Sequence, residues 1–149
     1  MHLLIDGYNL IGQMGLWPLS DPEKEDKLCQ YLSQIPLRPR DQITVIFDGK
    51  RQDALWPEKS THGQIQFIFT VNPDKADDEI MRLLAQTPQR YIVISNDQEI
   101  IRFAKKKRCR HLSCQAFQQK YRPKKAPNSA PKPRPSNTDT AFWLEQFNS

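Results

Sequence analysis

Three aspartates each follow an apolar run of the kind that forms a buried strand. They are Asp6 after the letters LLI, Asp48 after ITVIF and Asp97 after YIVISN. Uninterrupted apolar runs of this length are typical of strands that are buried on both faces of a parallel sheet. Because the carboxyl ends of parallel strands share one edge of the sheet, we expect these three carboxylates to lie close together.

A fourth carboxylate is expected from a helix over residues 75–86. Its apolar residues, among them Ala76 and Ile80, recur at helical spacing and define a buried side. Asp77 falls inside this apolar sector, whereas Asp78 lies nearly opposite. An unpaired charge in an apolar interface is costly. We therefore predict that Asp77, near the start of the helix, faces a cation at the sheet edge.

Each of these acids also has a purely structural interpretation, because Asp is common in turns and at helix starts. Asp77 could belong to a capping arrangement that begins at Asp74. Asn96 and Glu99 match a capping box, which would make Asp97 a first-turn acid favoured by the helix dipole. These alternatives explain the acids singly, but they do not explain why the acids gather at one edge.

Several carboxylates at one edge indicate a divalent cation. They repel one another unless a cation neutralises them, and oxygen ligands suit Mg²⁺ or Mn²⁺. Such an ion can stabilise charge on a phosphoryl group during hydrolysis. Gly7 is expected to let the chain turn and approach a ligand closely, and Asn9 adds a neutral donor and acceptor. The chemistry indicated is metal-dependent cleavage of phosphodiester bonds.

The rest of the sequence supplies the elements that position these residues. Strands are predicted at 3–5, 43–47, 65–69, 91–94 and 110–112, and helices at 21–35, 75–86, 97–107 and 113–121. Residues 10–20 are predicted to form a loop on the active-site side, and residues 50–63 a surface loop. This alternation predicts an α/β fold with a mainly parallel sheet and right-handed crossovers.

Composition limits the class of protein. A chain of 149 residues is most simply one domain with a real core. No signal peptide or membrane span is predicted, which favours a cytoplasmic protein. Three cysteines, an odd number, favour reduced thiols over disulfides. Cys109, His111 and Cys114 lack a second ligand pair and are interpreted as packing residues.

The basic character is concentrated near the end of the chain. Removing the six cations between residues 120 and 135 from the net charge of +5 leaves −1, so the rest of the chain, most of which is the folded body, is nearly neutral. Residues 122–137 form a basic, Pro-rich linker that is predicted to be flexible. Its cations, Lys124 and Lys125 among them, can follow a phosphate backbone and are predicted to bind the substrate. Residues 138–149 are predicted to form a short amphipathic helix that docks on the body or on a protein partner.

Four motifs together resemble a known family. DGYN at the first strand, VIFDG at the second, ADDEI at a helix start and ISND after the fourth strand are similar to the YacP-like branch of the NYN domain, within the PIN-like nuclease superfamily. The likeness covers roughly residues 1–121. It implies a three-layer α/β/α sandwich, a sheet with strand order 3-2-1-4-5, and an endoribonuclease site that uses Mg²⁺ or Mn²⁺.

The resemblance also implies roles for individual residues. Asp6, Asp77 and Asp97 would be catalytic and metal-binding, Asp48 would support the metal site, and Asn9 would be a supporting polar residue that contacts the substrate. The partner implied is RNA, and relatives in this branch include one that acts on messenger RNA at the ribosome.

Three other functions compete with a nuclease. The first is a catalytically silent RNA-binding module of the same fold, against which the complete set of acids argues. The second is a phosphatase of the haloacid dehalogenase type, which needs an acid two residues after the first aspartate, where this chain has Tyr8. The third is a nucleotide-binding Rossmann domain, which needs a Gly-rich phosphate loop that the sequence lacks.

Overall fold

The computed structural model describes residues 1–49, 58–71 and 74–123. Its strands are β1 (His2–Asp6), β2 (Gln42–Phe47), β3 (Glu58–His62), β4 (Ile65–Phe69), β5 (Ile92–Ile94) and β6 (Arg110–Leu112). Its helices are α1 (Gly7–Met14), α2 (Lys24–Ser33), α3 (Ala76–Gln86), α4 (Gln98–Lys106) and α5 (Cys114–Lys120), and a 3₁₀ turn covers Pro88–Arg90.

The strands form one mixed sheet with the order β3-β4-β2-β1-β5-β6. All neighbours are parallel except β3 and β4, which pair antiparallel at one edge. When β3 is set aside, the five parallel strands have the spatial order third, second, first, fourth, fifth. The mainly parallel α/β fold and this strand order are confirmed.

Helices cover both faces of the sheet and create two cores. On one face, α1, α2 and α5 pack against alternate strand residues, with Leu10, Leu28, Phe117, Leu3 and Phe47 all fully buried. On the other face, α3 and α4 pack against the remaining strand residues, with Ile80, Leu84, Ile100, Leu4 and Ile46 fully buried. The predicted three-layer arrangement is therefore present, with β1 at its centre.

The predicted loop over residues 10–20 is wrong in its first part, because α1 runs from Gly7 to Met14. Leu10, Ile11 and Met14 lie on its buried side, at a spacing that fits a helix. Gly15, which suggested a loop, ends this helix with a positive φ of 69°. Glycine is common at this position because it adopts the left-handed conformation without strain.

The predicted surface loop over residues 50–63 is also partly wrong. Its end forms β3, whose five residues are all exposed and pair antiparallel with β4. A strand that is exposed throughout shows no alternation of apolar and polar residues, so the sequence pattern could not reveal it. Residues 50–57 lie outside the described residues.

Other boundaries shift by one to three residues. The first long helix begins at Lys24 rather than at Asp21, whose carboxylate accepts a hydrogen bond from the backbone N–H of Glu23 at 2.8 Å. All three cysteines are free thiols. No helix of the described residues is long and apolar enough to cross a membrane. Most of the predicted basic linker and the whole predicted C-terminal helix lie outside the described residues.

Candidate active site

The carboxyl edge of the parallel sheet collects the four predicted aspartates. Asp6 is the last residue of β1 and is paired in register with Ile46 of the neighbouring strand. Asp48 follows the end of β2, and Asp97 lies just beyond β5 at the start of α4. Asp77 lies in the first turn of α3, which begins at the same edge. Four different elements thus bring one carboxylate each.

Asp6 is at the electrostatic centre of this group. Its pKa is raised from 3.8 to about 7, chiefly because the carboxyl is buried. A hydrogen bond from Ser95 acts in the opposite direction, and the negative charges of Asp48, Asp97 and Asp77 raise the pKa further. These three acids are therefore close enough to Asp6 for their charges to oppose its ionisation.

Ser95 links the two acids that follow neighbouring strands. Its side chain is only 1% exposed, and its Oγ donates to Oδ2 of Asp6 at 3.3 Å. The same Oγ accepts a hydrogen bond from the backbone N–H of Asp97 at 3.0 Å. Sequence reasoning missed this residue, although a small polar residue directly after a buried strand, within the ISND motif, is a usable signal.

Asp97 is the N-cap of α4. Its Oδ1 accepts a hydrogen bond from the backbone N–H of Glu99 at 2.8 Å. The predicted alternative of a capping box between Asn96 and Glu99 is therefore wrong, because the N-cap residue is Asp97 and not Asn96. A single capping bond occupies one carboxylate oxygen of Asp97, which is partly exposed at the sheet edge.

Asp48 fixes the start of α3 against the sheet. Its Oδ1 accepts a hydrogen bond from the backbone N–H of Ala76 at 2.5 Å. A carboxylate at this position also interacts favourably with the positive end of the helix dipole. This contact holds the first turn of α3, and with it Asp77, at the carboxyl edge.

Asp77 and Asp78 differ in the way that the helical phase predicts. Asp77 is partly buried, whereas Asp78 is exposed. Oδ2 of Asp78 accepts from the backbone N–H of Lys75, the N-cap residue, at 3.0 Å. The capping acid of α3 is thus Asp78, and the alternative in which Asp77 served a cap begun at Asp74 is wrong. Asp77 is the acid whose charge acts on Asp6.

Asn9 orders the loop that carries Asp97. Its Oδ1 accepts from the backbone N–H of Asn96 at 2.8 Å and from Sγ of Cys114 at 3.4 Å. Asn96 in turn accepts from the backbone N–H of Cys114 and donates to Gln115. The side-chain oxygen of Asn9 thus holds two neighbouring segments in place. The substrate contact of this residue stays a prediction.

Two glycines near the site are required by close packing. A Cβ atom at Gly7 would lie 2.3 Å from Cε1 of Phe47, and a Cβ atom at Gly49 would lie 1.6 Å from the carbonyl oxygen of Thr70. Gly7 therefore accommodates the Phe47 ring beneath α1. The close approach of Gly7 to a ligand stays a prediction beside this packing role.

The donor set fits a hard divalent cation in its chemistry. All four groups are carboxylates, and a cation among them would offset the mutual repulsion that raises the pKa of Asp6. As the side chains stand, no group of three or more His, Cys, Asp or Glu residues in the described ranges is arranged to hold a metal ion. Lys124 and Lys125, predicted to contact the substrate, lie outside the described residues.

Comparison with known proteins gives one family match. The model of the YacP-like NYN domain matches residues 3–141, which is most of the chain. The uncharacterized protein YacP of Bacillus subtilis (strain 168) is 33% identical over 88 residues. That alignment covers 54% of this chain and 49% of the relative, so the chain spans about half the length of the curated relative that it matches.

Two solved structures share the fold. The crystal structure of the W164L mutant of Rae1 (YacP) from Bacillus subtilis matches with a TM-score of 0.60 and 22% identity, covering 79% of this chain and 72% of that one. The crystal structure of Rae1 (YacP) from the same organism matches with a TM-score of 0.58 and 23% identity, covering 80% and 72% respectively. The likeness shows that this chain and those proteins share the sheet and its covering helices.

Proposed function

We propose that this chain, which belongs to the YacP-like NYN domain family, is an endoribonuclease that hydrolyses RNA phosphodiester bonds with Mg²⁺ or Mn²⁺. The observation that carries the proposal is the gathering of Asp48, Asp77 and Asp97 around Asp6, whose pKa is raised in part by their charges. Because the neighbouring negative charges oppose ionisation of Asp6, a divalent cation that offsets these charges should bind at this site.

In this proposal the chain's own residues have distinct tasks. Asp6, Asp77 and Asp97 hold the divalent ion, with Asp48 supporting them while it caps α3. When bound, the ion supplies positive charge that stabilises the phosphoryl oxygens during hydrolysis. Ser95 is a positioning residue, since its hydroxyl connects Asp6 to the backbone of Asp97.

The test is cleavage of an unstructured, end-labelled RNA by the full-length protein with Mn²⁺ or Mg²⁺. Asp6→Asn and Asp97→Asn should each lower the cleavage rate at least about 100-fold, because each removes one of the charges that bind the ion. Asp26→Asn is the matched control, as this exposed acid lies on α2. Full activity in either edge variant, with wild-type circular dichroism, would refute the assignment.

A circular RNA separates endonucleolytic from exonucleolytic cleavage, because it has no ends. We expect the protein to convert the circle to linear products, and EDTA to prevent it. The alternative function, a silent RNA-binding module of the same fold, predicts that the circle is bound and stays intact with either metal.

We further propose messenger RNA at the ribosome as the physiological substrate, and the support for this context is the family resemblance. Sequencing of RNA 5′ ends would compare one messenger as naked RNA with the same messenger under translation. Cleavage that appears or becomes site-specific only during translation is the expected result. Identical cleavage patterns in both samples would argue against a role for the ribosome.

A further inference from the structure

A cavity of about 450 Å³ lies at the end of the sheet opposite to the four aspartates. Its lining comes from the amino ends of β1, β2 and β4, from β3 and from the outer face of α3, and includes His2, Thr44 and Tyr91. Ligand sites in proteins commonly enclose roughly 300–1,000 Å³. The cavity is therefore large enough for a small organic molecule and separate from the candidate active site.

The floor of the cavity is polar, whereas the next residues of β2 and β4 on this sheet face are apolar. Thr44, Gln66 and Thr61 are neighbours in register across β2, β4 and β3. Two residues further along β2 and β4, the side chains on the same face are those of Ile46 and Ile68, which are buried under α3. Polar side chains facing inward on a sheet are the informative exception to apolar cores, because burying them requires hydrogen-bond partners.

His2 lies at this floor as a neutral ring with one paired and one buried nitrogen. Its Nε2 lies 2.7 Å from Oγ1 of Thr44, whereas its Nδ1 is buried without a hydrogen-bond partner in the described part of the chain. Burial lowers the pKa of His2 to about 4, so the ring is neutral at pH 7. The side-chain amide of Gln66 provides donor and acceptor atoms, the pattern that a nucleobase edge requires, and the neutral His2 ring adds an uncharged wall beside it.

The rim of the cavity carries cations without an ion-pair partner in the part of the chain that the structure describes. Arg82 is paired with Glu79 through two hydrogen bonds. Lys59 and Arg90 also line the cavity, and neither has a carboxylate within ion-pair distance among the described residues. Two cations beside a polar floor are suited to a phosphate group, since charge-assisted hydrogen bonds to phosphate are among the stronger ones in proteins.

We propose that this cavity binds a nucleoside monophosphate, with its phosphate at Lys59 and Arg90 and its base or ribose on the floor formed by His2, Thr44 and Gln66. The site does not depend on the proposed nuclease function, because none of its residues lies at the carboxyl edge. The same chemistry could come from a free nucleotide or from the phosphorylated 5′ nucleotide of an RNA.

The test is calorimetric titration of the full-length protein in EDTA with each of the four nucleoside 5′-monophosphates. At least one should bind with one-to-one stoichiometry, and its nucleoside and inorganic phosphate should each bind at least about tenfold more weakly. Replacing both rim cations, Lys59→Ala with Arg90→Ala, should weaken binding by about tenfold or more. Lys106→Ala, which removes an exposed cation from α4, is the matched control and should bind as the wild type does.

A second variant tests the floor without changing charge. Thr44→Val removes the hydroxyl near Nε2 of His2 and should also weaken nucleotide binding. A 5′-phosphorylated hexaribonucleotide shows whether the natural ligand is an RNA end or a free nucleotide. If it binds more tightly than the mononucleotide, the ligand is an RNA end, and if it binds more weakly, the ligand is a free nucleotide. The proposal is overturned if no mononucleotide binds, if phosphate binds as tightly as the nucleotide, or if the folded double variant binds normally.

Discussion

At the scale of single residues, Asp6 determines the behaviour of the candidate active site. Its carboxyl is largely shielded from solvent at the end of a central strand, and the charges of three further acids act on it. When no cation is bound, these surroundings favour the protonated form of the Asp6 carboxyl. Ionisation of Asp6 should therefore make its own contribution to the pH dependence of the stability of the metal-free protein.

Relative to Asp6→Asn, we expect the wild-type free energy of unfolding in EDTA to fall as pH rises from about 4 to about 7. His2, whose pKa is lowered to about 4, contributes a rise with pH to both proteins, so it cancels in this comparison. In this window the folded protein keeps the proton on Asp6, while the unfolded chain, with an ordinary pKa of 3.8, releases it. The loss should be of the order of 2–4 kcal/mol. Asp6→Asn should lack most of this decline and so be more stable than the wild type at pH 8.

Urea denaturation across this pH range measures the effect, and Asp26→Asn serves as the control because it changes an exposed acid. Parallel pH profiles for the wild type and Asp6→Asn would show that the Asp6 carboxyl ionises normally in the folded protein. The electrostatic account of the site would then be wrong.

At the scale of secondary structure, α3 assigns different tasks to two adjacent acids. Asp77 acts on Asp6 through its charge, whereas Asp78 accepts from the backbone N–H of Lys75 and caps the helix. We predict that Asp77→Ala removes most Mn²⁺ binding, while Asp78→Ala changes Mn²⁺ affinity modestly and lowers the free energy of unfolding by about 0.5–2 kcal/mol.

Calorimetric Mn²⁺ titration and urea denaturation of both variants separate these two effects. Each variant is the control for the other, because both remove one carboxylate from neighbouring positions of the same helix. If Asp78→Ala were the variant that lost Mn²⁺ binding, the helix would present a different face to the sheet edge.

The end of α4 provides a stability prediction away from the site. Arg108 has a positive φ of 58°, its backbone N–H donates to the carbonyl of Lys105, and the N–H of Cys109 donates to the carbonyl of Ala104. This pattern is a Schellman motif, in which glycine usually occupies the left-handed position. Arg108→Gly should therefore raise the free energy of unfolding by about 0.5–1 kcal/mol.

Urea denaturation tests this, with Arg110→Gly as the control, since Arg110 lies in β6 and has no left-handed backbone to relieve. Glycine inside a strand should lower stability. A loss of stability in Arg108→Gly of similar size to that in Arg110→Gly would contradict the assignment of strain to the left-handed residue.

The elements also show what a sequence can and cannot predict here. Long apolar runs identified β1, β2 and β4, because strands buried on both faces need such runs. The fully exposed β3 escaped prediction, and α1 was hidden because Gly12 within it and Gly15 after it resemble loop residues. At the site, single acids were predictable from strand ends, whereas the bridging role of Ser95 depends on contacts between residues 89 positions apart.

At the scale of the whole molecule, charge is unevenly distributed along the chain. Six cations lie between residues 120 and 135, and the rest of the chain is nearly neutral. If these cations contact single-stranded RNA, each contributes up to about 0.7 to the slope of log affinity against log salt concentration. We predict that they contribute about −2 to −4 to this slope.

Filter binding across a salt series measures the slope for the wild type and for a full-length variant with glutamine at the six positions. These are Lys120, Arg122, Lys124, Lys125, Lys132 and Arg134. The control replaces prolines of the same segment with alanine, which keeps its charge, and should leave the slope unchanged. Parallel slopes for the wild type and the glutamine variant would mean that the segment is only a spacer.

The central claim, that Asp6, Asp77 and Asp97 at the sheet edge bind a divalent ion, is tested most directly by anomalous diffraction from crystals of the protein with Mn²⁺. We predict an anomalous peak at the carboxyl edge, within about 2.0–2.6 Å of oxygen atoms of Asp6, Asp77 and Asp97. The same peak should be absent from crystals of Asp6→Asn. A wild-type protein that cleaves RNA with Mn²⁺ but shows no peak among these aspartates, or binds Mn²⁺ elsewhere, would contradict the account.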